Sequence, residues 1–508
     1  MSDNVNSNRL VRNTLLLYVR TFLIMIVSIY TSRVVLMVIG VEDYGLYNVV
    51  AGVVAFFGFL NSAMSMATQR FLNVEMVKKD AQNLRKVFSM ALNIHFIIAV
   101  IVVLLTETIG LYLVNNVLNI APDRLHAANW VFQFVVIGIF FQILMVPYNS
   151  VILAREEMGV YAYVSILEVS LKLGLVFLLK LFAIDKLILY GLLMTCVTLI
   201  VFLIYKVFTY FKYSESHYLL VWESSMFKEM AGFMGWNICG QLAQIFTTQG
   251  VTMVVNVFLG VVVNAAMAIQ NHVQSAIVMF VQNFQTSFRP QITKSYAAGE
   301  TDSFRKLVCS TSKLSFFMLY IISIPIIFNI DLILDVWLDT VPDYTATFCK
   351  LVIWFSYIEA MGMPLVMSIM ATGKNRNYQI AVSVVIALNL LFVWLVLRKG
   401  FAPEWIFYIK ICLAIVTLGV RMYFTHRQAS FPVKTFIRNT VVPCLIVLAI
   451  TQPLYYVFLH FYNIANLWSV LAFTMVLVLM VGAVIWFFGM NSSEKNVIVS
   501  IINKKIKR

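Results

Sequence analysis

The chain has 508 residues, of which 61% are hydrophobic and only 12% charged, with a mean hydropathy of +0.88. A soluble globular chain is nearer half apolar and a quarter charged, which excludes a cytoplasmic enzyme; 40 Phe and 25 Met exclude disorder, and six Cys are too few for a disulfide-stapled secreted domain. The net charge of +14 would point to nucleic acid in a soluble protein, but here it is read by location, because Lys and Arg gather in the cytoplasmic loops of membrane proteins.

Apolar runs long enough to cross about 30 Å of hydrocarbon at about 1.5 Å per residue recur along the chain. They predict spans near 13–39, 46–69, 87–113, 128–153, 161–183, 187–210, 232–259, 264–288, 307–329, 346–371, 378–397, 403–424, 440–460 and 466–489, about 14 in all. Only helices and closed barrels satisfy their backbone groups in lipid, and these runs are too long and unalternating for barrel strands. The first run follows the polar stretch MSDNVNSNRLVRN and lacks an A-x-A site, so it is expected to stay as span one.

An even number of spans puts both termini on one side. Loops on that side carry roughly five times the Lys and Arg of the opposite loops, including Arg70, Lys78, Lys79, Arg85, Lys86 and the tail Lys504, Lys505, Lys507, Arg508. Both termini are therefore predicted to be cytoplasmic. The opposite loops are short and acidic (Glu42, Asp43, Asp123, Asp185, Asp331, Asp335, Asp339, Asp343), and no loop reaches the roughly 40 residues a stable domain needs. Cys196, Cys239, Cys309, Cys349, Cys412 and Cys444 are scattered singly and read as small core hydrophobes, with no metal set among them.

The expected organisation is a six-helix bundle over 1–212, a cytoplasmic linker over 213–231, a second six-helix bundle over 232–425, and two extra helices with a basic tail over 426–508. In the linker, Trp222, Met226, Phe227 and Met230 among Glu223, Lys228 and Glu229 suit either an interfacial amphipathic helix or an irregular connection. Val38-Ile39-Gly40-Val41 after span one resembles Phe258-Leu259-Gly260-Val261 after span seven, and Arg70 and Arg289-Pro290 follow at nearly equal distances. Two parallel halves of six spans, a common transporter architecture, produce this pattern.

Ionisable groups inside spans mark function, because each costs roughly 2.5–3.5 kcal/mol unless it faces protein or water. Arg20, Arg33, Lys313 and Lys410 are shallow enough to snorkel to an interface. Glu359 lies near the middle of span ten and cannot, which makes it a candidate carrier of a coupling proton; Lys350 sits nearer the outer end. Glu168 and Lys172 are one turn apart in span five and can neutralise each other. Asn237, Gln241, Gln244, Thr248 and Thr252 share one face of span seven; Asn271, Gln274, Ser275, Gln282, Gln285 and Arg289 form a comparable stripe on span eight, beside His272. Interhelical hydrogen bonding would account for such stripes, and so would a hydrated cavity able to bind sugar hydroxyls or phosphate. Pro147, Pro325, Pro364, Pro443 and Pro453 within spans permit kinks.

No P-loop, G-x-S-x-G or H-E-x-x-H motif occurs, so neither an enzyme nor a cofactor is expected. The segments N-T-L-L-L-Y-V-R from Asn13, V-I-G-V-E-D-Y-G-L-Y-N from Val38, A-T-Q-R-F-L-N from Ala67 and R-P-Q-I-T-K-S-Y-A-A-G from Arg289 resemble those of Wzx-type polysaccharide flippases. These belong to the MATE-like multidrug/oligosaccharidyl-lipid/polysaccharide (MOP) superfamily. The resemblance implies an all-α MATE-like fold in a bacterial inner membrane, with two bundles around a cavity. It also implies an undecaprenyl-diphosphate-linked oligosaccharide as substrate, for O-antigen or capsule, moved by alternating access and driven by a proton or sodium gradient. Beyond that substrate, the implied partners are membrane lipids and the polymerase and glycosyltransferases of the pathway.

A diphosphate head group needs cations and amide donors. Arg20, Arg33, Lys172, Lys350, Gln241, Gln244, Asn271, Gln274 and Gln282 are the expected contacts, with Glu359 and Glu168 for the coupling ion. A MATE-like multidrug antiporter is the alternative; it would place carboxylates and aromatics in its first-half cavity. A membrane glycosyltransferase or polymerase fits less well, for want of a sizeable outer loop.

Overall fold

The computed structural model describes residues 2–40, 42–43, 46–47, 50–51, 58–117, 120–179, 185–338, 341–461, 467–492 and 494–496. These residues are almost wholly helical and contain no strand. In chain order the helices are α1 Ser2–Ile39, α2 Phe59–Lys78, α3 Ala81–Leu105, α4 Leu125–Ala154, α5 Met158–Leu178, α6 Lys186–Lys212 and α7 Ser224–Gly260. They continue with α8 over 261–297, α9 Thr301–Phe328, the short α10 Ile330–Trp337, α11 Thr345–Thr372, α12 Arg376–Arg398, α13 Trp405–Ala429, α14 Val442–Phe461 and α15 Leu467–Val484. Eleven helices among the described residues are long and apolar enough to cross a membrane. α1, α2 and α8 stand where spans one, two and eight were expected, so the set is consistent with fourteen.

Local chemistry sets the boundaries. Asp80 caps α3 by accepting from the Asn83 amide at 2.9 Å, and Asp185 caps α6 by accepting from Leu187 and Ile188 at 2.9 and 3.2 Å. Gly40 ends α1 at φ +92° and Gly260 ends α7 at φ +76°, a backbone region in which only glycine is unstrained. The two glycines picked out as repeat positions thus perform the same local task.

The described chain divides into two compact units, Arg12–Gln241 and Leu242–Arg508, the latter together with Met1–Val11. In the first unit, Leu60 and Met64 of α2 pack with Val131, Phe132, Val136 and Ile143 of α4. In the second, Phe316, Phe317 and Tyr320 of α9 share one core with Phe348 and Tyr357 of α11 and Phe407 of α13. Val447 of α14 and Phe473, Leu477 and Val481 of α15 belong to that same core, so the two last helices build directly onto the second bundle.

Lys313 is no snorkelling residue. It is fully buried in α9, and its ammonium meets Glu494 at 2.7 Å. The Ser310 hydroxyl donates to the same carboxylate at 3.0 Å and the Asn491 amide at 2.9 Å, which pins the segment after the last helix to α9.

The segment expected as a linker is irregular in its first part and helical in its second, where Met226, Phe227 and Met230 belong to α7. After a 3₁₀ turn at Ser214–Ser216, residues 217–223 run without regular structure and α7 begins at Ser224. Their backbone is satisfied by α3 instead of by a helix of their own. Arg85 donates to the His217 carbonyl at 2.6 Å, the Leu219 amide donates to Ser89 at 2.9 Å, and Asn93 donates to the Val221 carbonyl at 3.1 Å. Arg155 donates twice to the buried carboxylate of Glu215, at 2.8 and 2.6 Å, and holds the turn that precedes the strap. At the other face of the first unit, Arg124 bridges Asp43 and Asp185, so three of the predicted outer loops are tied by one guanidinium.

Candidate functional site

Each unit contains a partly open cavity. In the second unit it measures about 360 Å³ and is lined from α7, α8, α9, α11, α12 and α13. The amide stripes meet here: Gln244, Thr248 and Thr252 of α7 face it, as do Asn271, Gln274, Gln282 and Gln285 of α8. Part of this polarity is spent on structure. Gln285 donates to Ser315 at 3.0 Å and to the Ala360 carbonyl at 2.9 Å, and Gln274 donates to Ser356 at 3.4 Å. Asn389 of α12 leaves its side-chain carbonyl buried without a donor among the described residues.

Three charged residues line this cavity: Glu359, Lys410 and Arg421. Arg421 is only 6% exposed, and its Nη2 donates to Glu359 at 3.0 Å. Its Nε and Nη1 are buried without a hydrogen-bond acceptor among the described residues, while the Tyr378 side chain lies beside the guanidinium. The guanidinium lies flat against α11 because residue 362 is glycine; a Cβ there would collide with Nη1 and sit 3.3 Å from Cδ. Lys410 holds its ammonium 4.4 Å from the centre of the Phe355 ring, one turn before Glu359, and does not reach out to an interface. Lys410 and Arg421 are 11 residues apart on α13, about 20° from one another around its axis, so both present to the same cavity.

The cavity of the first unit measures about 490 Å³ and is lined from α1, α5 and α6, with Tyr47. Its charged residues are Arg20, Glu168 and Lys172. Lys172 donates to Glu168 at 2.6 Å, the helical pair expected from their spacing. Arg20 donates to the Tyr161 hydroxyl at 3.3 Å, stacks 4.4 Å from the centre of that ring, and keeps its Nε buried without an acceptor among the described residues. Each cavity therefore carries two bases and one acid, ringed by neutral hydrogen-bonding groups.

The residues singled out in the sequence fall into three groups. Gln244, Asn271, Gln274, Gln282 and Glu359 meet in one cavity, and Arg20, Glu168 and Lys172 in the other. Lys350 instead pairs with Asp331 at 3.1 Å and lines neither, and Gln241, one turn before Gln244, also lines neither. The side chain of Arg33 lies outside the described residues. Arg421 and Asn389 were not anticipated, and Lys410 had been read as a snorkelling group. No group of three or more potential metal ligands occurs among the described residues.

No family model matches the sequence, and no curated protein is significantly similar to it. Solved structures are. An outward-facing multidrug resistance MATE family transporter of the MOP superfamily superposes with a TM-score of 0.68 at 11% identity, over 84% of this chain and 96% of that one. A MOP superfamily transporter from Pyrococcus furiosus, described as having a binding pocket whose reverse polarity suggests a different function, gives 0.67 at 11% identity over 84% and 96%. A MATE transporter in complex with MaD3S gives 0.67 at 12% identity over 83% and 96%. The fold is that of the MATE-like transporters of the MOP superfamily.

Proposed function

We propose that this protein is a membrane transporter of the flippase type, moving an undecaprenyl-diphosphate-linked oligosaccharide from the cytoplasmic to the periplasmic leaflet for surface polysaccharide synthesis. The observation that carries this reading is the charge of the two cavities. Each holds two cations to one carboxylate, with hydroxyls around them in the first unit and amides and hydroxyls in the second, a lining matched to an anionic, hydroxyl-rich head group. The motifs that resemble polysaccharide flippases support the same substrate. So does the precedent of a neighbour of this fold described by the reversed polarity of its pocket. Alternating access would carry the head group through the cavities while the lipid tail stays in the bilayer. Coupling to a proton or sodium gradient would have to run through Glu359 and Glu168, the carboxylates of the two cavities.

A second reading, a multidrug antiporter, is favoured by the likeness to MATE multidrug transporters. Depleting the protein and quantifying lipid-linked oligosaccharide by leaflet separates the two. Complete repeat units trapped on the cytoplasmic leaflet, with surface polysaccharide lost, are the expected result. An unchanged lipid pool with new sensitivity to cationic drugs would overturn the flippase in favour of the antiporter.

A further inference from the structure

We propose that Arg421 and Lys410 form an oxyanion site in the second-unit cavity, with Glu359 as its resident counter-ion, displaced when a phosphate-type ligand binds. The inference rests on the flippase reading only for its natural ligand; the site itself follows from geometry.

Arg421 carries five N–H donors on a planar fork, the group best suited to phosphate oxygens. Only Nη2 is engaged with a carboxylate, while Nε and Nη1 are buried without an acceptor among the described residues. A buried guanidinium short of acceptors costs free energy. Arg421 lines the cavity, with Nη1 covered by α11 at Gly362 and the Tyr378 side chain beside it, which leaves the Nη2 edge as the part that meets Glu359. Lys410 adds a second cation, close enough to Glu359 for the two charges to interact. With one carboxylate for two bases, the cavity holds one positive charge in excess, and Gln282, Asn271 and Asn389 supply neutral polar groups beside it.

Glu359 imitates the missing ligand. Its side chain is 28% exposed where that of Arg421 is 7%, so the carboxylate is the more accessible partner. Gly362 leaves room for the guanidinium to rest directly on the helix backbone, away from the open side of the cavity. An oxyanion arriving through the cavity competes with Glu359 for the Nη2 donor of Arg421 and for the Lys410 ammonium. The carboxylate then lowers the affinity of the site for its ligand, which sets it apart from an ordinary binding residue: removing it should strengthen binding.

The test measures binding of inorganic pyrophosphate to the full-length protein in lipid nanodiscs by isothermal titration calorimetry. Glu359→Gln should tighten binding about tenfold, and Arg421→Gln should weaken it at least tenfold, alone and combined with Glu359→Gln. Lys410→Gln should weaken it by a smaller factor. Glu359→Asp, which withdraws the carboxylate by one methylene and keeps the charge, should also tighten binding and serves if the glutamine variant is misfolded. Weaker or unchanged binding in folded Glu359 variants, or unchanged binding in Arg421→Gln, would overturn the proposal. Undecaprenyl diphosphate in the nanodisc membrane distinguishes the sources. If it competes with pyrophosphate, the site takes the lipid head group; if it does not, the site takes free diphosphate. Either of these supports the site, and trapped repeat units in the depletion experiment are read independently of both.

Discussion

Replacing Gly362 with alanine tests whether the bare helix surface positions Arg421. Helix propensity alone favours alanine by about 1 kcal/mol. Against this, the new Cβ collides with Nη1 and comes within 3.3 Å of Cδ, so the buried guanidinium has to move off α11. Moving it forfeits the charge-assisted bond to Glu359, worth about 1.5–3 kcal/mol. The expected net effect in the native background is a loss of about 0.5–2 kcal/mol. In an Arg421→Ala background the collision is absent, and the same substitution should gain about 1 kcal/mol. The contact with Leu418 at 3.4 Å is common to both backgrounds and cancels. Reversible unfolding of the four proteins in mixed detergent micelles gives the coupling directly, with about 1.5–3 kcal/mol expected. A coupling below about 0.5 kcal/mol would refute the reasoning, because the glycine would then be indifferent to the arginine.

Three further outcomes follow from contacts away from the cavities. Glu494→Gln leaves the Lys313 ammonium buried without its counter-charge and should cost about 3–5 kcal/mol in thermal unfolding, most of it recovered when Lys313→Met is added. Burial pushes the Asp185 carboxyl up, but the Ile188 amide, the Arg124 guanidinium and the Leu187 amide outweigh it and hold the group below its ordinary range. Its stabilisation is therefore complete above the ordinary carboxylate value and lost as pH falls through the lower folded value; melting curves taken from neutral pH into acid should show a step that Asp185→Asn removes. Arg155→Ala strands the Glu215 carboxylate, 4% exposed, and should open residues 213–223 to limited proteolysis while the helices stay intact.

The helices were legible because the bilayer dictates their length and apolar character, and the polar faces of α7 and α8 because lipid penalises amides wherever they do not turn inward. That ground turned Gln244 and Gln282 inward but left a cavity and interhelical hydrogen bonds as alternatives. What stayed hidden was pairing across distance. Glu359 looked solitary because its partner lies 62 residues away on another helix, and Lys313 looked able to snorkel because Glu494 lies beyond the last span. Lys350, though nearer the outer end of its span, looked like a head-group contact because its partner Asp331 lies 19 residues away on another helix. In the linker, the helical pattern of Met226, Phe227 and Met230 falls in the first turns of α7, whereas the hold of Arg85, Ser89 and Asn93 of α3 on the backbone of residues 217–221 could not be read from the sequence.

That strap carries a consequence for how the chain can vary. Arg85, Ser89 and Asn93 stand at intervals of four on one face of α3, and their contacts at His217, Leu219 and Val221 are all to main-chain atoms. Among the side chains of the strap, Tyr218 joins in by donating its hydroxyl to Asn93 at 3.0 Å, whereas Leu220 is 92% exposed. Substitutions at positions such as Leu220 should be accepted almost freely, whereas inserting or deleting one residue would throw the carbonyls of His217 and Val221 and the amide of Leu219 out of step with the helix. The segment is a measured length of chain more than a particular sequence, and related proteins should keep its residue count long after its letters have diverged.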